Sequence, residues 1–158
     1  MNHKGFSLIE LVLVFGIAMI LSVGVVMFAN PVEYRAKTRD GRRLTDVSTL
    51  DRIINEYFVD TGSYPDSSDV LRLSTSLPFG QVGPVENIIS GWITVDLSPY
   101  NSKLPVDPLN DATYFYSYQH TEDTYEINAS LEHQVEYMQE DGGNDNGIYE
   151  IGNDLTIL

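Results

Sequence analysis

Residues 6–29 form a run of 24 residues in which Glu10 is the one charged side chain. As a helix rising about 1.5 Å per residue, the run reaches about 36 Å, enough to cross a hydrocarbon core of about 30 Å. The remainder of the 158 residues has room for one modest globular domain and not for a two-domain enzyme. Near the centre of such a segment a carboxylate costs about 2.5–3.5 kcal/mol on insertion scales, and less toward an end. Glu10 lies toward the end but still inside. Two readings follow: it snorkels to the headgroups or is protonated, or it awaits a cationic partner on another chain.

The residues before the run bear on that choice. A short polar leader, Met1-Asn2-His3-Lys4-Gly5, is followed by Phe6-Ser7-Leu8-Ile9-Glu10. A secretory signal peptide places its small-residue cleavage site after the apolar stretch, whereas here the glycine precedes it. Cleavage at that glycine leaves the apolar helix in the mature chain. The arrangement resembles the type IV pilin family, including the pseudopilins of type II secretion, whose leader ends in Gly, followed by Phe and by Glu at the fifth mature position. Gly5, Phe6 and Glu10 fit without a gap.

The resemblance implies cleavage between Gly5 and Phe6 by a prepilin peptidase and N-methylation of the new Phe6 amine. It also implies an assembly ATPase, a platform membrane protein, and a filament made of copies of the chain. Glu10 is then expected to pair with the Phe6 amine of a neighbouring subunit. Buried opposite charges each cost several kcal/mol alone, so losing one partner is strongly destabilising. The precursor is expected in the cytoplasmic membrane as a single-pass protein and later in a cell-surface or periplasmic filament.

Charge is distributed unevenly. Residues 1–52 hold seven basic and five acidic side chains, while residues 53–158 hold two basic (Arg72 and Lys103) and eighteen acidic ones, for a net charge of −14 overall. A field of that sign repels phosphates, so direct nucleic-acid binding is not expected. The acidity either keeps an exposed surface soluble, binds divalent cations, or meets basic stems of other subunits. There is no cysteine, which excludes disulfides and thiolate metal sites. This departs from pilins with a C-terminal disulfide and leans toward the major pseudopilin or cysteine-free type.

Asn30-Pro31-Val32-Glu33 combines a favoured N-cap, a favoured first helical residue and a glutamate able to reach back to the cap. A helix therefore restarts there, after a kink or break caused by Pro31. Relatives carry a helix-bending proline several residues earlier, where this chain has Met27. Val47, Leu50, Ile53, Ile54, Tyr57 and Phe58 recur at spacings of three and four, a single stripe that predicts packing on a sheet. Arg35, Lys37, Arg39, Asp40, Arg42 and Arg43 read as an exposed neck facing lipid headgroups or acidic residues of adjacent subunits. Their position outside the cytoplasm opposes the positive-inside tendency, and the leader motif is taken to set orientation.

Gly62 suits the left-handed position after the helix, with Tyr64-Pro65 beyond it. The Gly-x-Tyr-Pro exit and Leu104-Pro105-Val106-Asp107-Pro108 both resemble turns of the major pseudopilins, although Leu109 and Asn110 replace the Trp and Gly of that family. The connecting region predicts a short helix around residues 68–74, a strand at 92–95, and a core or lid role for Trp92. Residues 113–118 and 124–129 read as an antiparallel hairpin, with Tyr114, Tyr116 and Tyr118 on one face. A last strand at 148–151 or 155–158 completes three or four strands.

The fold class expected is thus α+β, the pilin fold: a long N-terminal helix, transmembrane then amphipathic, packed on a small C-terminal antiparallel sheet. The expected divisions are a cleaved leader (1–5), a transmembrane and filament-core helix (6–29), an exposed stem helix (30–60), a connecting region (61–103) and a sheet head (104–158). No nucleophile elbow, phosphate loop or HExxH motif is present, and His3, His120 and His133 are scattered, so no enzymatic activity is expected. The segment from Glu140 to Gly147 is dense in oxygen ligands and glycine. It predicts either a solvated turn or a Ca²⁺ site with Asp141, Asn144 and Asp145 as ligands, although it does not match an EF-hand. As to function, the expected role is the major subunit of a type IV pilus-like filament. The competing readings are a minor tip subunit and a membrane-anchored binding domain.

Overall fold

The computed structural model describes residues 5–76, 85–86 and 91–158, without the side chains of 23–29 and 85–86. The leader residues Met1–Lys4 and part of the connecting region therefore lie outside it. The chain divides into two compact units, Met1–Ala36 and Lys37–Leu158.

In the first unit, helix α1 (Leu8–Ala29) occupies most of the apolar run. Asn30 ends it in the left-handed conformation (φ 34°, ψ 71°), and helix α2 (Pro31–Thr61) begins at the next residue. Pro31 has no N–H to continue the first ladder, so the hydrogen bonding restarts, with Tyr34 N–H donating to the Asn30 carbonyl at 3.2 Å. Glu33 reaches the Asn30 side-chain amide (2.9 Å) rather than its backbone N–H. Among the described residues no helix is long and apolar enough to cross a membrane; the apolar sequence continues past the last described side chain of α1, at Ser22.

The second unit is built by the predicted stripe. Val47, Leu50, Ile53 and Ile54 of α2 are fully buried, with Tyr57 and Phe58 packed beside them. Each such aliphatic side chain contributes about 1.5–3 kcal/mol by leaving water. They meet a four-stranded antiparallel sheet in the order β1-β4-β5-β6: β1 (Arg72–Leu73), β4 (Tyr116–His120), β5 (Tyr125–Ala129) and β6 (Tyr149–Gly152). β2 (Val85–Glu86) and β3 (Lys103–Leu104) pair separately. Tyr118 lies opposite Ile127, and Ile127 opposite Ile151, so these share the face turned to the stripe. Two buried tyrosine hydroxyls find partners along α2, Tyr116 donating to Asp46 (3.1 Å) and Tyr125 to Asp51, while Tyr118 donates to the Pro65 carbonyl beyond it (3.0 Å).

Gly62 closes α2 at φ 75° and donates its N–H to the Phe58 carbonyl (2.8 Å). Trp92 is 2 % exposed, and its indole N–H donates to the Pro105 carbonyl at 2.9 Å, clamping the connecting region onto the following turn.

Four expectations need correction. Residues 68–74 contain β1 instead of a helix, because Ser74 N–H and the register of Arg72 and Leu73 complete the edge of β4; the connecting region thus supplies a sheet strand. Residues 92–95 form no strand. The neck is not wholly exposed, since Asp40 and Arg43 are 0 % exposed. Tyr114 precedes β4, and its ring lies under the Arg43 guanidinium (4.6 Å). The six-residue helix α3 (Val135–Glu140) has no counterpart among the expected elements.

Candidate functional site

The N-terminal segment is exposed and simple in geometry. Gly5, Phe6 and Ser7 precede α1 outside any helix or strand. Phe6 is 84 % exposed, and the Gly5–Phe6 peptide bond lies in non-helical chain. Ser7 is the N-cap, extended at φ −72° and ψ 146°. Glu10, three residues on, accepts the Ser7 backbone N–H with Oε2 at 2.9 Å. One of the unpaired donors at the helix start is thereby satisfied, and a negative charge sits at the positive end of the helix dipole. Glu10 therefore has a local role besides any partner on another chain. The Ser-x-x-Glu spacing before an apolar run is the sequence signal by which this box could have been found.

In the second unit, the charges of α2 converge on Arg43. Its guanidinium donates to Asp107 (2.6 and 3.1 Å), to Asp40 (2.8 Å) and to Glu132 (2.6 Å). Burial alone would lower the Arg43 pKa, but the bonds to Asp107 and Glu132 outweigh it and raise it. Arg39 also holds Glu132, by both of its carboxylate oxygens. The Glu132 carboxyl is consequently lowered to about 2, chiefly by the hydrogen bond from Arg39 and then by Arg43, against the opposing effect of burial. Asp40 does more than face Arg43, because its carboxylate also accepts the backbone N–H groups of Glu132 (2.9 Å), His133 (2.7 Å) and Gln134 (3.0 Å). One helix thus fastens both the Asp107 turn and the turn before α3.

The loop residues singled out as calcium ligands serve as turn acceptors. Asp141 accepts from Gly143 and Glu150 N–H (both 2.9 Å), and Asp145 accepts from Gly147 N–H (2.8 Å). Asn144 is exposed. Among the described residues no group of three or more His, Cys, Asp or Glu side chains is placed to hold a metal ion.

An exposed Gly-Phe bond ahead of a capped apolar helix, and a helix on a small antiparallel sheet, define an α+β class consistent with the pilin fold. Residues 1–26 match the family model described as the prokaryotic N-terminal methylation motif. That match supports a type IV pilin-like prepilin, and it implies processing by a prepilin peptidase and pilus-type assembly. The motif family is structural and not enzymatic, and the motif suggests a membrane-anchored precursor that later enters a surface filament. No curated protein and no solved structure matches the chain.

Proposed function

We propose that this chain is the major structural subunit of a type IV pilus-like helical filament. In this reading it is made as a single-pass precursor held in the cytoplasmic membrane by residues 6–29. Prepilin peptidase cuts between Gly5 and Phe6, and the Phe6 amine is methylated. An assembly ATPase and platform protein then move the chain into the polymer. The apolar helix exchanges lipid for other copies of itself, so one apolar surrounding replaces another. The observation that carries the proposal is the motif match over residues 1–26, supported by the exposed Phe6 and by Glu10 at the helix start. The cysteine-free composition and the Leu104-Pro105-Val106-Asp107-Pro108 turn favour a head of the pseudopilin type.

Two measurements test it. Mass spectrometry of the mature chain should find methylated Phe6 as the first residue. Purified filaments should contain the chain as the dominant band; trace abundance would transfer it to a minor, tip-located role, and absence from any filament would leave a membrane-anchored binding domain.

The local hydrogen bond of Glu10 sharpens the assembly test. Glutamine at this position retains an acceptor for the Ser7 N–H but carries no charge. If Glu10 pairs with the Phe6 amine of a neighbour, Glu10→Gln and Glu10→Ala both abolish filaments while cleavage after Gly5 persists. Wild-type filament yield from Glu10→Gln would reduce Glu10 to a helix cap.

A further inference from the structure

The acidic loop before β6 holds a pair of residues whose chemistry the fold does not use. Of the ten asparagines in the chain, only Asn146 is followed by glycine. Asparagine is thermolabile because the next backbone nitrogen can attack its side-chain carbonyl carbon, and glycine, lacking a Cβ, leaves that nitrogen most open. Asn146 and Gly147 are both exposed, at the corner of a turn that Ile148 N–H closes by donating to the Asp145 carbonyl (3.1 Å). A Cβ at Gly147 would crowd this corner, lying 3.2 Å from Asp145 Oδ1.

Other groups that could react in the same way are held. Asn110 bonds Ser74 with both ends of its amide, Asn153 bonds the Tyr125 N–H and the Tyr64 hydroxyl, and Asn128 is buried in β5. Asp40 and Asp141 also precede glycine, but Asp40 is fully buried beneath four donors and Asp141 accepts two backbone N–H groups. Gly147 is placed differently. Its N–H donates to Asp145 Oδ1 at 2.8 Å, within the reach required of a general base. That bond occupies the in-plane hydrogen and leaves the face of the nitrogen, where its lone pair lies, free to attack.

We propose that Asn146–Gly147 is a site of spontaneous modification, at which the Gly147 nitrogen attacks Asn146 Cγ with the Asp145 carboxylate as base. The new N–Cγ bond closes a succinimide ring. The proton passes from the Gly147 nitrogen to Asp145 and on to the departing Asn146 Nδ2, which leaves as ammonia. Water then opens the ring: at Cγ it yields aspartate, and at the main-chain carbonyl it yields isoaspartate, whose backbone is longer by a methylene. Both products add a negative charge next to Asp145, and isoaspartate also lengthens the turn that leads into β6 (Tyr149–Gly152). The loop thereby records the age of the molecule. The inference stands independently of the filament reading.

The test ages the full chain in detergent, in mildly alkaline buffer, and follows each asparagine by peptide mapping with mass spectrometry. Asn146 should convert to aspartate and isoaspartate about tenfold faster than any other asparagine, and the aged chain should focus at a lower isoelectric point. Gly147→Ala should slow the conversion by about tenfold, as should Asp145→Asn, which keeps an acceptor for the Gly147 N–H but is not a base. The proposal is overturned if Asn146 in the folded chain converts no faster than the other asparagines, or if Asp145→Asn converts at the wild-type rate.

Discussion

Asp40 shows how far one carboxylate can organise a small head. It accepts a guanidinium N–H from Arg43 and three backbone N–H groups from residues 132–134 while fully buried. Replacing it with alanine strands all four donors, so Asp40→Ala should lower unfolding stability by about 3–5 kcal/mol in urea titrations. Asp40→Asn, which keeps one acceptor oxygen, should lose less. Glu132 sets the acid limb of stability. Its carboxyl is lowered from 4.5 to about 2, so its contribution is complete above about pH 4.5 and is lost as pH falls from there toward 2. A melt series across that interval should show the decline, and Glu132→Gln should flatten it. Neither role was legible in the sequence, where Asp40 and Arg43 sit among other charges of the neck and nothing local reveals that Asp107 and Glu132, 64 and 89 residues away from Arg43, come to meet it. Burial of charge is decided by tertiary partners.

At the scale of elements, α2 was the most readable part, because its period is written in apolar spacing. The stripe from Val47 to Phe58 packs as expected. Its end was equally plain, since glycine enters the left-handed region most readily of all residues. A Cβ at Gly62 meets no atom within 4 Å, so the cost of Gly62→Ala is confined to a backbone held at φ 75°. That variant should lose about 1 kcal/mol in a denaturant titration with an unchanged m-value. The hairpin β4–β5 was foreseen from its aromatic and β-branched residues, with β4 starting three residues and ending two residues later than expected. β1 was not foreseen. Two residues are too few for any period to show, and this strand exists because the edge of β4 offers it hydrogen bonds. The outer face of β5 was also misjudged by pattern: Glu126 and Asn128 alternate with apolar neighbours as exposed residues would, yet the chain folds back over them.

Over the whole chain, the N-terminal unit declares its processing in sequence, while the head declares its fold mainly by pattern. Gly5, Phe6 and Glu10 form a contiguous motif and could be found without coordinates. The placing of Glu150 opposite Asn128 could not, because α3 and the acidic loop separate β5 from β6 in the chain. Chemistry shared by distant strands leaves no local signature. The single tryptophan of the chain gives this division a practical side. Trp92 is buried and bonded to Pro105, and the unit Met1–Ala36 contains no tryptophan. Tryptophan emission, excited at wavelengths that tyrosine does not absorb, therefore reads the head alone, so unfolding of the sheet unit can be followed optically in detergent, in vesicles or in an intact polymer without a signal from Tyr34 of the N-terminal unit.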